Sequence, residues 1–197
     1  MRLRMLFLLL LVVALAGCGG GDDENTNTAT STASADELDP DTTYSLVLKT
    51  TEGSFTIELD QTLAPNTARS LVRLARNGFF DGTKFHRVVP GFVIQGGDPT
   101  GTGSGGPGYS TVDVPPSDAA YTEGVVAMAK TQTEAPGTAG SQFFVVTGAD
   151  VGLPPEYAVV GTVTEGLDTV LRIDALGTGD GPPSTPVVIE KVTVEES

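Results

Sequence analysis

The apolar positions of this chain fall into short β-branched or aromatic runs separated by turn residues. Thr43–Asp60, TYSLVLKTTEGSFTIELD, holds two such runs around TTEG, with glycine where a hairpin turn needs it. The period then changes. In LAPNTARSLVRLARNGFF, Ala68, Leu71, Val72 and Ala75 recur at helical spacing, arginines take the other face, and Gly78 supplies a C-cap. TKFHRVV, FVIQ, GVVAMAK, SQFFVVT and YAVVGTV follow as strand-like runs. GLDTVLRIDALG predicts a second short helix ending at Gly177, and TPVVIEKVTVEE predicts a closing strand of alternating residues. Roughly eight strands and two helices in about 150 residues predict a mainly β fold. A closed antiparallel barrel would leave no exposed edge; an open sandwich is the alternative.

The first residues follow a different rule. MRLRMLFLLLLVVALAGC has Arg2 and Arg4, an apolar run, then small residues, the order of a secretory signal. The run is shorter than the ~20 residues a spanning helix needs. Leu15-Ala16-Gly17-Cys18 resembles a bacterial lipobox, in which the cysteine is lipidated and becomes the first residue of the mature chain. Residues 1–17 are therefore expected to be a lipoprotein signal peptide. Residues 18–42, rich in Gly, Ser, Thr, Asn and Asp, are expected to be the lipidated Cys18 and a flexible linker. Such a linker spans ~25 Å on average. Residues 43–197 form the expected folded domain. The expected location is the outer face of the bacterial cell membrane or its periplasmic side, with the chain anchored at Cys18.

Charge and composition then exclude several chemistries. The formal net charge is −14 with no basic cluster, so nucleic acid is not an expected partner. The chain has one cysteine and one histidine, so neither a disulfide nor a thiolate or histidine metal site is expected. No cofactor is expected. Gly101, Gly103 and Gly106 satisfy G-x-G-x-x-G, yet Pro107 and Gly108 follow and no helix can start there to face a pyrophosphate. This stretch reads as a mobile glycine-rich loop. Ser104 and Ser141 lie in no nucleophile elbow, and no spacing pairs Asp98, Asp113 or Glu123 as an acid–base dyad.

FHRVVPGFVIQGGD (Phe85–Asp98), a glycine-rich loop, GVVAMA (Gly124–Ala129) and GSQFFVV (Gly140–Val146) together resemble a cyclophilin-type peptidyl-prolyl cis-trans isomerase. The resemblance covers about Tyr44 to Val194. It implies an eight-stranded antiparallel barrel, closed and capped by two α-helices, with a substrate groove on its outside. It implies proline-containing polypeptides as partners, and a monomer is expected. Matched position by position, Arg87 and Gln95 are the implied catalytic residues. Phe92, Val93, Phe144 and Leu153 are implied to hold the proline ring, and Ala129 and Gln142 to contact substrate backbone. Met128 and Phe143 are expected in the core, and His86 is expected to be structural. The sequence departs from the family at Gly152, where cyclosporin-sensitive members have tryptophan. It departs again at Tyr157, where many have histidine, and at Lys130, where many have asparagine.

The implied chemistry agrees with the residues. A guanidinium can hydrogen-bond the imide nitrogen of a twisted X–Pro bond far better than that of a planar one. No nucleophile or metal is needed. The alternative is a cyclophilin-fold chaperone that binds proline-containing segments with little turnover. Strict alternation would put Phe92 and Gln95 on opposite faces of one strand. A bend near Pro90-Gly91 or Gly96-Gly97 is therefore expected.

Overall fold

The structure, a computed structural model, describes residues 37–197. The expectations for residues 1–36, including lipidation of Cys18, lie outside the described residues. The last part of the expected linker does not hang free: Leu38 packs against the core, and Gln61 Nε2 donates to Thr42 O at 2.7 Å.

Among the described residues there are ten strands and two helices. β1 (Tyr44–Thr50) and β2 (Gly53–Leu59) form the expected hairpin, and β1 also pairs with β10 (Ile189–Glu196). β3 (Arg87–Val89), β4 (Val93–Gly96), β6 (Val125–Met128), β8 (Phe143–Val146) and β9 (Val159–Glu165) complete one antiparallel sheet. Its order is β10-β1-β2-β9-β6-β8-β4-β3. Two short strands, β5 (Thr111–Val112) and β7 (Thr138–Ala139), make a separate pair.

The expected barrel closure is corrected. The sheet is an open half-barrel of eight strands, with no ladder between its edge strands β3 and β10. Single links span the gap: Lys84 bridges Val188, and the Phe85 amide donates to Val187 O at 3.0 Å. The cause is chemical. The chain that lies beside β3 carries Pro182, Pro183 and Pro186, which have no N–H to extend a ladder. Only Val88 and Gly181 pair there.

The period-2 rule sorts the side chains into two clusters. Phe143 and Val145 point into the half-barrel with Val126, Met128 and Ile94, as expected for Met128 and Phe143. Phe55, Phe80, Phe85 and Phe143 meet there edge-on or tilted, with ring centroids 6.1–6.3 Å apart. Phe144 and Val146 point the other way, into a second cluster with Val93, Ala127 and Tyr121.

Helix α1 (Pro65–Arg76) buries Ala68, Leu71, Val72 and Ala75, the stripe predicted from spacing, and packs on β1 and β10. Helix α2 (Leu167–Asp174) buries Val170 and Ile173 against the same interior and packs on β2, β3 and β4. At the end of α1, Gly78 with φ 69° lets the amides of Gly78 and Phe79 return to Ala75 O and Leu74 O. This is a Schellman motif. At its start, Ala64 has no side chain to cap with. Asp113, from the loop after β5, supplies the missing acceptor. Its carboxylate takes the Thr67 amide at 2.7 Å, the Thr67 hydroxyl at 2.6 Å and Asn66 Nδ2 at 2.9 Å. An anionic cap also faces the positive end of the helix dipole.

Replacing Asp113 with Ala strands the buried Thr67 amide and leaves the Thr67 hydroxyl only Thr111. We expect a loss of about 1–3 kcal/mol, read as a lower urea midpoint at unchanged m-value. An unchanged midpoint would show that the cap is dispensable.

Candidate active site

The groove begins with a turn. Val89-Pro90-Gly91-Phe92 closes through the Phe92 amide to Val89 O at 3.0 Å. Proline presets the second position, and Gly91 takes the φ of 68° that the third position requires. Asp174, at the end of α2, pins this turn by accepting the Gly91 amide at 3.0 Å and the Thr147 hydroxyl at 2.7 Å. Phe92 therefore sits in the turn and outside the alternation of β4. That is the bend the sequence required, at Pro90-Gly91. Val93 and Gln95 then share the outer face.

Register brings the rest together. Gln95 pairs with Arg87 on β3 and with Phe144 on β8, and Phe144 pairs with Ala127 on β6. Arg87, Phe92, Val93, Gln95, Ala129, Phe144 and Leu153 line one groove of about 240 Å³, together with Lys130 and Tyr157. Its floor is aromatic: Phe144 meets Tyr157 edge-on at 5.6 Å, and Tyr121 lies beneath both at 6.4 and 6.0 Å. Tyr121 is 1 % exposed and ties its hydroxyl to the Tyr157 carbonyl at 2.7 Å. Burial raises its pKa, so it is a neutral phenol at pH 7.

Gln142 lies beside this groove. It lines an adjoining depression of about 440 Å³ formed with Gly103–Ser110, Lys130, Thr131 and Glu134. It also joins a run of hydrogen bonds that points one way. Arg87 Nη1 donates to Gln95 Oε1 at 3.3 Å, and Gln95 Nε2 to Gln142 Oε1 at 3.0 Å. Gln142 Nε2 donates to Gly105 O at 2.9 Å, and the Gly105 amide to Asp98 at 3.1 Å. Asp98 also accepts the Gly103 amide and both the amide and hydroxyl of Thr100.

This ties down the glycine-rich loop that the sequence read as mobile. A Cβ on Gly105 would sit 2.0 Å from Asp98 Oδ1, so only glycine admits that contact. Burial alone would raise the Asp98 pKa; the bonds from Thr100, Gly105 and Gly103 outweigh it and hold the carboxyl far below the usual range. His86 lies next to the same loop, and among the described residues neither ring nitrogen has a partner in good hydrogen-bond geometry. Burial lowers its pKa, which favours the neutral ring.

Sequence reasoning passed over three groups at the site. Tyr121 looked like any isolated aromatic. Lys130 was noted only as a departure, yet its ammonium is nearly buried. It pairs with Glu156 at 2.9 Å, donates to the carbonyls of Thr131 and Glu134, and stands 5.6 Å from the Tyr157 ring centre. Asp180 gave no signal and turns out to touch Arg87. Among the described residues no group of His, Cys, Asp or Glu is arranged to hold a metal ion.

Comparison with known proteins agrees with this geometry. Residues 45–194 match the family described as cyclophilin type peptidyl-prolyl cis-trans isomerase/CLD. The chain belongs to the cyclophilin family. Over 160 residues it is 38% identical to peptidyl-prolyl cis-trans isomerase-like 1 of Gibberella zeae, covering 78% of this chain and 97% of that protein. It is 37% identical over 174 residues to peptidyl-prolyl cis-trans isomerase A of Mycobacterium tuberculosis, covering 79% and 94%. A cyclophilin type isomerase of Cryptosporidium parvum, crystallised in the presence of the dipeptide Ala-Pro, superposes with a TM-score of 0.71. It is 28% identical and covers 78% of this chain and 99% of that one. This cyclophilin is thus a peptidyl-prolyl cis-trans isomerase with two helices on a mainly β frame.

The loop of this cyclophilin offers a direct test. Because the Asp98 pKa is depressed, the carboxylate's hold is present above its unfolded value and is lost only as pH falls through the lower folded value. Protection factors of the Gly103 and Gly105 amides should therefore stay constant from pH 7 to about pH 4, where an ordinary Asp is half protonated. Asp98→Ala should abolish that protection. Equal protection in the variant would refute the anchoring.

Proposed function

We propose that this cyclophilin accelerates X–Pro isomerisation in exported polypeptides, with Arg87 acting on the twisted imide. The supporting observation is the guanidinium of Arg87 at the rim of the groove, with N–H donors unengaged among the described residues. Phe92, Val93, Phe144 and Leu153 would hold the proline ring. Gln95 would hold the guanidinium and, with Ala129 and Gln142, contact the flanking backbone.

The barrier is about 18–20 kcal/mol, because the nitrogen lone pair is delocalised into the carbonyl. Rotation by about ninety degrees breaks that delocalisation and returns the pair to nitrogen. A donor fixed at that place meets a good acceptor in the transition state and a poor one in either planar ground state. The interaction is therefore differential, which is what lowers a barrier. Arginine suits the role because it stays charged and is a planar fork. The C. parvum relative, crystallised in the presence of Ala-Pro, supports a proline-containing peptide as the ligand class.

Arg87→Ala should lower turnover of a proline tetrapeptide by about 10²–10³-fold, the cost of removing one preorganised donor, with the circular dichroism spectrum unchanged. Full activity in the variant would defeat the mechanism. Persistent peptide binding with no wild-type turnover would favour the binding-module alternative.

Export and anchoring rest on the leader. We read Cys18 as the lipidated first residue of the mature chain, with the catalytic domain tethered outside the membrane. Mass spectrometry of the mature protein should find a diacylglyceryl group on Cys18. A free thiol there, or an intact leader, would overturn the anchor.

A further inference from the structure

The reading of Arg87 leaves open what holds a long side chain still on a three-residue edge strand. Its side chain is 31% exposed, and it reaches the groove from the end of the sheet. The Phe92 ring lies 5.8 Å from its Cζ, and Gln95 takes one proton of Nη1. Neither contact holds Nε, so neither fixes the torsion about Cδ–Nε that swings the planar fork. A third group does. Asp180 meets the guanidinium side-on, with Nε donating to Oδ1 at 2.6 Å and Nη2 to Oδ2 at 3.4 Å.

Asp180 is itself well placed. It lies in the segment between α2 and β10, next to Gly181, whose carbonyl accepts the Val88 amide at 2.8 Å. The Ser184 amide returns to Leu176 O at 2.8 Å. A Cβ on Gly177 would lie 2.7 Å from the Pro90 ring, so this segment packs directly on the turn that carries Phe92. Among the described residues the Asp180 carboxylate has no hydrogen-bond partner other than Arg87.

A guanidinium has five N–H donors. Among the described residues Asp180 engages two and Gln95 one, which leaves one on each terminal nitrogen. We propose that Asp180 is a positioning residue for isomerisation: its carboxylate locks the Arg87 fork side-on and so reserves the terminal N–H groups for the substrate. The proposal rests on the catalytic reading of Arg87. Its physical basis is preorganisation, because a donor that is already oriented needs no ordering when the imide twists. The exposed pair Lys49–Glu190, by contrast, touches no groove residue and carries no such consequence.

The test uses the full chain, with catalysed exchange of an Ala-Pro peptide followed by NMR so that kcat and KM separate. Asp180→Asn should lower kcat about five- to tenfold at unchanged KM, since the lost interaction orients the catalytic group without touching the ground-state ligand. Asp180→Glu should restore most of it. The melting temperature should not move, because an exposed pair contributes little to stability. The Arg87 Nε–H signal should shift and its exchange with solvent should quicken in Asp180→Asn. In an Arg87→Ala background, adding Asp180→Asn should change nothing further.

If Arg87→Ala is inactive while Asp180→Asn matches or exceeds the wild type, this proposal alone is overturned. A higher rate would mean that the carboxylate withholds the guanidinium. A fall in kcat that tracks a lowered melting temperature, with the Nε–H signal unmoved, would also overturn it. If Arg87→Ala keeps full activity, the catalytic reading fails and the positioning role fails with it.

Discussion

Everything at the site depends on one register: Gln95 opposite Arg87 on one side and Phe144 on the other. Three adjacent strands thereby place a cation, an amide and an aromatic ring on the same outer face. A slip of one residue would send Gln95 and Val93 inward and bring Ile94 out. The buried set makes that slip costly, since Ile94, Val145 and Met128 are all sealed inside the half-barrel. The hydrophobic interior therefore fixes the chemistry of a surface it does not touch. The Pro90-Gly91 turn adds the one feature that register cannot supply, a ring standing outside the pleat.

Around that register, polar groups act mainly as orienting devices. Gln95 and Gln142 form a chain of amides, each donating onward, and the chain ends on the Asp98 carboxylate. Asp174 pins the turn, Asp113 caps a helix from outside it, and Asp180 grips the guanidinium. The protein carries an excess of acids, and several serve as acceptors for backbone or side-chain donors that the local structure leaves unpaired. Lys130 is the counterpart on the opposite wall. Its ammonium engages one carboxylate and two carbonyls, which matches its three donors.

Much of this was legible in the sequence. The stripe of Ala68, Leu71, Val72 and Ala75 gave α1, and the hairpin around TTEG was found where its glycine put it. The motif stretches carried the groove residues, because in a sheet a contiguous run delivers alternate side chains to one face. The conflict between Phe92 and Gln95 was visible too, and its resolution lay at a Pro-Gly pair. What stayed hidden was set by contacts between distant segments. Arg87 and Asp180 are 93 positions apart, and nothing periodic connects them. Tyr121 and Tyr157 meet across 36 positions. Closure failed as an expectation because a count of strands does not reveal that the neighbour of β3 is a proline-rich segment.

The division of side chains between the two faces has an evolutionary consequence. The interior and the groove are distinct clusters that share no residue, although they are built from the same strands. Changes at outer-wall positions such as Leu153 and Tyr157 alter the groove without opening a void within. Selection can thus retune which peptides are accepted while the scaffold's tolerance to heat and denaturant stays nearly constant, a separation that a binding cleft cut into the core would not permit.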